Sequence, residues 1–318
     1  MKRRDFVTLA AGAAFVLPFA AAAQPKTKRT IGILTQVQEP FWSVFREEMR
    51  KLGYIDGQNV AYELRFAEGK AELLPKLAGE LVALKVDVIV ASLTPAVFAA
   101  KAATKTIPIV MAPAGDPVGT GLVTNLARPG GNITGAAGTA SESGSKLLQL
   151  FREIHPSIKA VAVMANAPDP FTKSLLAQLQ QGSRALRIEL KIFMLNGPED
   201  MDAAFAETAK AQITAVIVQP SLPRIQPIDL ALKYKLASAS PYSSFAEAGG
   251  LLSFSASPAD LFGQPATYVD RLLRGAKAGD LPIQQPTRFE LNINLKTAKA
   301  IGIVIPQSLL VRAEKVIQ

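Results

Sequence analysis

The 318-residue chain contains no cysteine. Disulfides, thiolate metal centres, a cysteine nucleophile and a lipidated cysteine therefore have no residue to carry them. Histidine is nearly absent too: His155 alone, in "REIHPSIKAV" between a helix end and a strand, reads as a loop or helix-end residue. One histidine without cysteine leaves no material for a histidine-based triad or a zinc site. The chain also has no G-x-S-x-G, and "GDPVGTGLV" at 115–123 spaces its glycines wrongly for either phosphate-binding motif. Adjacent carboxylates such as Glu47 and Glu48 read as a solvated helix face. Enzymatic chemistry, a metal and a cofactor are accordingly not expected. Basic residues form no run of five or six and carry no interleaved aromatics, so a nucleic-acid partner is not expected either.

What the chain does have is apolar material, 49% hydrophobic against 19% charged residues, over a length that one core rarely serves. Two domains are expected. The first 23 residues, "MKRRDFVTLAAGAAFVLPFAAAA", combine a basic head (Lys2, Arg3, Arg4), an apolar run from Val7 to Leu17 and small residues before Gln24. That three-part pattern is a cleavable export signal. "RRDF" is similar to a twin-arginine signal, although Lys2 and Thr8 depart from that pattern, so both that route and general secretion stay open. The run is too short to span a membrane, and no later one reaches the roughly 18 apolar residues a span needs. The head and Asp5 contribute +2 of the net charge of +9, leaving +7 on the mature chain. A mild attraction for anionic ligands or surfaces follows.

Short aliphatic runs alternate with helical patterns throughout. "TIGIL", "NVAYELRF", "VDVIVA" and "IPIVMA" read as strands, and between them lie helices over 39–53, 70–84 and 95–104. The first helix carries an apolar stripe at Phe41, Phe45, Met49 and Leu52. A glycine-rich stretch, "ARPGGNITGAAG" (127–138), interrupts the series, which then restarts with strands at "KAVAVMA", "IELKIFML", "AVIVQ" and "KLASAS" and helices at 170–186, 199–210 and 223–235. Such alternation predicts an α/β fold of two Rossmann-like lobes, parallel sheets flanked by helices, with a ligand cleft between them. Glycine-rich 127–138, "EAGG" (247–250) and the proline-rich "DLPIQQP" (280–286) are the expected crossings between lobes. They divide the chain into 24–135 plus 254–283 for lobe one and 136–253 plus 284–318 for lobe two.

Two buried strands stop at small polar residues. "VDVIVAS" ends at Ser92 and "TAVIVQ" runs into Pro220 and Ser221. Ligands of open parallel sheets lie beyond the carboxyl ends of the strands, where helix N-termini favour an anionic group such as a carboxylate. Ser92, Thr94 and Pro95 are therefore expected at the cleft edge of lobe one and Ser221 at that of lobe two, with Thr94 open to a helix-capping role instead. "TQVQEPFW" (35–42) and "ANAPDPFT" (165–172) each follow a strand and share an acid, a proline and a phenylalanine. Gln36, Asn166 and Asp169 in these loops are ligand candidates, against loop ordering and capping. Of Phe41 and Trp42, one must serve the core and the other is available to a ligand; Trp42 is the candidate. Tyr242 offers a ring and a hydroxyl beyond "LASAS". Asp116 suits either a ligand ammonium or an Asx turn before Pro117, and the turn is the stronger reading.

"DVIVASLTPAVFAAKAATKTIPIVMAPAGDPVGTGLVTNLARPGGNITG", "FAEAGGLLSFSASPADLF", "ATYVDRLLRGAKAGDLPIQQPTRFELNINLKTAKAIGI" and "IPQSLLVRAEKVI" resemble the substrate-binding proteins of ABC transporters with a type I periplasmic-binding fold. The resemblance covers nearly the whole mature chain. It implies a periplasmic, monomeric binding protein, not an enzyme, that captures a small solute, carboxylate-bearing, amino-acid-like or aromatic, and delivers it to an ABC permease and its ATPase. A sensor signalling to a membrane receptor is the alternative use of the same fold. Gly263 and Pro265 interrupt what the family carries as one helix, so a kink is expected there. Ser240, Ser243 and Ser244 stand where relatives tend to have larger residues, so the ligand does not transfer from them.

Overall fold

The computed structural model describes residues 28–37, 39–138 and 140–318. The proposed export signal lies outside them. The first sheet contains five strands, all parallel, in the order β2 (Val60–Phe66), β1 (Arg29–Thr35), β3 (Val88–Ser92), β4 (Ile109–Gly115) and β5 (Ile133–Gly138). β3 is buried at all five positions, which is why its sequence shows no polar alternation. Helices α1 (Trp42–Lys51), α2 (Leu74–Ala83) and α3 (Thr94–Ala103) connect these strands. On α1 the buried stripe is Trp42, Phe45 and Met49. The expected stripe began one residue earlier, at Phe41, which precedes the first helical residue and is only half-buried.

The second sheet has seven strands. β7 (Glu189–Leu195) and β6 (Ala160–Asn166) lie at one side, followed by β8 (Ala215–Val218), β9 (Ala237–Ser240), β10 (Leu252–Ala256), β11 (Phe289–Asn294) and β12 (Lys315–Ile317). Only the β10–β11 pair is antiparallel. Helices α4 (Ala140–Ile154), α5 (Thr172–Leu186), α6 (Met201–Lys210) and α7 (Ile225–Lys233), the short α8 (Ser244–Glu247), then α10 (Leu295–Ile301) and α11 (Gln307–Arg312) complete this lobe. α9 (Gln264–Leu273) instead packs on α1 of the first lobe, where Leu261, Phe262 and Val269 join Trp42 and Phe45 in one core. The expected kink before α9 takes the form of a π-helical turn, Ala259–Gly263, with Pro265 in the first turn of the following helix.

Strand membership moves the expected lobe boundaries. β5 runs to Gly138 within the first sheet, and β10 runs to Ala256 within the second, so divisions at 135/136 and 253/254 cut both strands. The first half of the glycine-rich stretch is a turn, but its second half is strand β5, because Gly135, at φ 120°, lets β5 close on β4: a Cβ there would stand 2.5 Å from the Met111 backbone nitrogen. "EAGG" ends α8 inside lobe two and crosses nothing. Helix α4, of which the sequence marks only the end before His155, buries Leu147, Leu148 and Phe151 in the second lobe's core.

Candidate ligand-binding cleft

Strand order reverses once in each sheet, between β1 and β3 and between β6 and β8, and the loops leaving these strands meet between the lobes. Gln36, just past β1, donates from Nε2 to the Ser221 carbonyl at 3.0 Å. Glu39 accepts from Arg224 at 3.2 Å; the Glu39 side chain is buried, 1% exposed, and that of Arg224 is partly buried, 14% exposed. The Arg224 guanidinium also lies 5.4 Å from the centre of the Tyr242 ring. Further along the interface the Ser174 hydroxyl, on α5, donates to Asp116 Oδ2 at 2.6 Å.

A small space of about 50 Å³ lies between the two edges, with Leu93, Thr94, Asp169, Phe171, Ser221 and Tyr242 among its walls. Leu93 supplies the bend that opens it. Its φ of 71° and ψ of 150° form a combination rare outside glycine, at a cost of about 1–3 kcal/mol, and its N–H donates to the Pro113 carbonyl at 2.7 Å. This bend ends β3 at Ser92 and starts α3 at Thr94. Ser92 and Tyr242 are both buried, and the Tyr242 hydroxyl interacts with Ser92 and with the Glu39 carboxylate. Burial, with the Glu39 carboxylate beside it, holds the Tyr242 hydroxyl protonated well above the usual tyrosine range.

In lobe two a closed hydrogen-bond network surrounds Asp169. Its Oδ2 accepts from Ser221 Oγ at 2.5 Å and Gln219 Nε2 at 2.8 Å, and its Oδ1 from the Phe171 N–H at 2.9 Å. Burial raises the Asp169 pKa against the lowering effect of these three donors. Asn166 Nδ2 donates to Ser221 Oγ at 3.0 Å, and the Asn166 N–H donates to Gln219 Oε1 at 2.9 Å. Burial likewise raises the Glu39 pKa, and here Arg224 is the main opposing influence.

Of the residues singled out in the sequence, Thr94, Asp169, Ser221 and Tyr242 line the central space together. Gln36, Pro95 and Asn166 border a separate groove that opens beside Pro223. Thr94 does not cap α3, whose N-cap is Leu93; its Oγ1 accepts from the Gly115 N–H at 3.0 Å instead. Asp116 has both oxygens engaged, Oδ1 by the Gly119 N–H at 2.9 Å and Oδ2 by Ser174. Trp42 packs edge-on against Phe45 and Phe262, at 5.9 and 5.5 Å between ring centres, as a core residue of lobe one. Sequence reasoning passed over Glu39, Arg224 and Phe171. For Glu39 and Phe171 the signal was the repeated acid–Pro–Phe; Arg224, a single arginine in "PSLPRIQ", offers none.

Two lobes whose switch points share one buried space define a solute-binding protein of the type I periplasmic-binding fold. Residues 41–317 match the ABC transporter substrate binding protein family, and the chain belongs to it. It is 26% identical over 287 residues to a tyrosine-binding protein of Clostridioides difficile, covering 87% of this chain and 82% of that one. A conserved domain protein of Vibrio cholerae superposes with a TM-score of 0.83 at 26% identity, covering 91% of this chain and 99% of the other. An ABC domain from Streptococcus pneumoniae in complex with L-Trp gives a TM-score of 0.81 at 25% identity, covering 91% and 100%. The protein is a substrate-binding protein of an ABC transporter system, not an enzyme.

Proposed function

We propose that this protein is the solute-binding component of an ABC importer, closing its lobes on a small carboxylate-bearing, amino-acid-like solute. It works as a monomer in the periplasm and delivers the solute to a permease driven by its ATPase. The observation that carries this reading is the meeting of the two strand edges at one buried space, where Thr94 of lobe one faces Asp169, Ser221 and Tyr242 of lobe two. A solute held between the edges gains contacts from both lobes only when they are together, so its binding favours the closed arrangement. The tyrosine-binding relative and the neighbour in complex with L-Trp support an amino-acid-like solute. Family membership supports the permease partner and the periplasmic location, and among the described residues no helix is long and apolar enough to cross a membrane.

The test is a thermal-shift screen of amino acids and small carboxylates, followed by calorimetry on every solute that shifts the transition. Saturable binding at one site per chain, with a smaller radius of gyration in solution scattering, is the expected result. A panel that leaves both the transition and the calorimetric trace unchanged overturns the reading.

A further inference from the structure

The small size of the cleft has an identifiable cause in Phe171. The residue immediately precedes α5, its N–H held by Asp169 Oδ1 at 2.9 Å and its carbonyl accepting from the Leu175 N–H at 3.1 Å. Asp169 is itself fixed by Ser221 and Gln219. The ring is 5% exposed and belongs to the lobe-two core with Phe151, Leu175 and Leu179, so it cannot swing aside without opening that core. Its other side lies on lobe one. A Cβ built on Gly115 would stand 2.5 Å from Phe171 Cδ2 and 2.7 Å from Cγ, closer than real contacts come. Gly115 is thus the seat on which an aromatic ring of the protein rests when the lobes are together.

The remaining space, about 50 Å³, is a third of the roughly 150 Å³ that admits a benzene-sized ring in an apolar protein cavity. Its walls are mostly apolar, Phe171 and Leu93 among them, with a few polar side chains, Thr94, Asp169, Ser221 and Tyr242, to orient a small solute. We infer that Phe171, seated on Gly115, sets the upper size limit of the solute. The solute is then a compact amino or hydroxy acid without an aromatic ring. This inference rests on the solute-binding reading above and narrows it, since the relatives named for tyrosine and L-Trp take ring-bearing amino acids.

The experiment is calorimetry of glycine, L-alanine, L-serine, lactate, L-tyrosine and L-tryptophan against the wild-type chain, F171A and G115A, with thermal unfolding as the folding control. A compact solute should bind the wild type about 100-fold or more tighter than either aromatic amino acid. F171A should bind L-tyrosine or L-tryptophan at least about tenfold tighter than the wild type does. G115A, whose added methyl meets the ring, should weaken the compact solute about tenfold or more at an unchanged unfolding temperature. Wild-type binding of L-tyrosine or L-tryptophan as tight as that of the compact solutes overturns the size limit and leaves the solute-binding reading standing. The same limit falls if F171A gains no ring-bearing ligand. Should F171A fail to fold, G115A decides alone, because an unchanged affinity there means that the ring does not seat on Gly115. Absence of binding by every solute to all three proteins overturns the solute-binding reading, and the size limit with it.

Discussion

The loop after β1 and the loop after β6 are built to one plan and do different work. Each places an acid, a proline and a phenylalanine in order, and each carboxylate accepts the N–H of the phenylalanine two residues on, at 3.3 Å from Phe41 and 2.9 Å from Phe171. Both acids are buried, and burial raises the pKa of both. They differ in where the remaining acceptor capacity goes. Asp169 spends it inside its own lobe, on Ser221 and Gln219, whereas Glu39, one methylene longer, reaches across to Arg224. One carboxylate builds a lobe and the other joins two lobes. Repetition of a backbone plan therefore does not repeat a role; the partner on the facing loop decides it.

Removing Asp169 should have the largest effect, and it should fall on stability. Asp169→Ala leaves the Ser221 hydroxyl and the Phe171 N–H buried without their acceptor, at about 1–3 kcal/mol each, and leaves Gln219 Nε2 with only its 3.2 Å bond to Ser221 Oγ. A loss of about 3–5 kcal/mol in urea unfolding is expected, with partial recovery in Asp169→Asn. A loss below about 1 kcal/mol would mean that the network is not what holds the loop. Arg224→Met should act on closure instead. It leaves the Glu39 carboxylate buried without its cation only while the lobes are together, because separation returns that carboxylate to water. Roughly 2 kcal/mol, or about 30-fold in solute affinity, is expected with little change in urea midpoint. Equal losses of stability and affinity would erase the contrast between the two loops.

Acid separates the two carboxylates by a different observable. A carboxyl whose pKa is raised by burial binds its proton more tightly in the buried state. Its contribution therefore disfavours burial above the raised value and is relieved as the pH falls toward the ordinary value, 4.5 for Glu39 and 3.8 for Asp169. For Asp169 the reference is the unfolded chain, so within that window acidification should favour folding through this group. For Glu39 the reference is the open protein, so acidification between its raised value and 4.5 should favour closure and tighten solute binding. Affinity measured against pH should lose this rise in Glu39→Gln and keep it in Asp169→Asn. The reverse assignment would place the closing carboxylate in the wrong loop.

The alternation of aliphatic runs and helices makes the two lobes legible in the sequence, because buried parallel strands and amphipathic helices follow from local patterning. Ser92 and Ser221 were legible as strand-end residues for the same reason. Trp42 and Phe41 were not separable, since they are neighbours in sequence and both rings pack on Phe262, which lies more than two hundred residues on. β5 was hidden because its glycines, which read as a break, serve the close approach of β4. Arg224 and Ser174 were invisible for a more general reason. Their partners, Glu39 and Asp116, sit on the other lobe, and nothing in a local pattern reports a contact across more than fifty residues.

Asp116 and Ser174 supply the smallest test of the comparison. Their hydrogen bond crosses the interface as the Glu39–Arg224 pair does, but it is only partly buried, and Asp116 has a second task in its own loop, where Oδ1 accepts from the Gly119 N–H. Ser174→Ala removes the cross-lobe half of this arrangement and leaves the loop intact. Water can reach the Asp116 oxygen once the hydroxyl is gone, so the cost should stay near the low end for a bond to a charged group, about 1.5 kcal/mol or less, and solute affinity should fall no more than about tenfold. Urea unfolding should be unchanged. An affinity loss as large as that of Arg224→Met would move the main closing contact from the Glu39 loop to the Asp116 loop, and the division of labour between the two acid–Pro–Phe loops would then no longer account for closure.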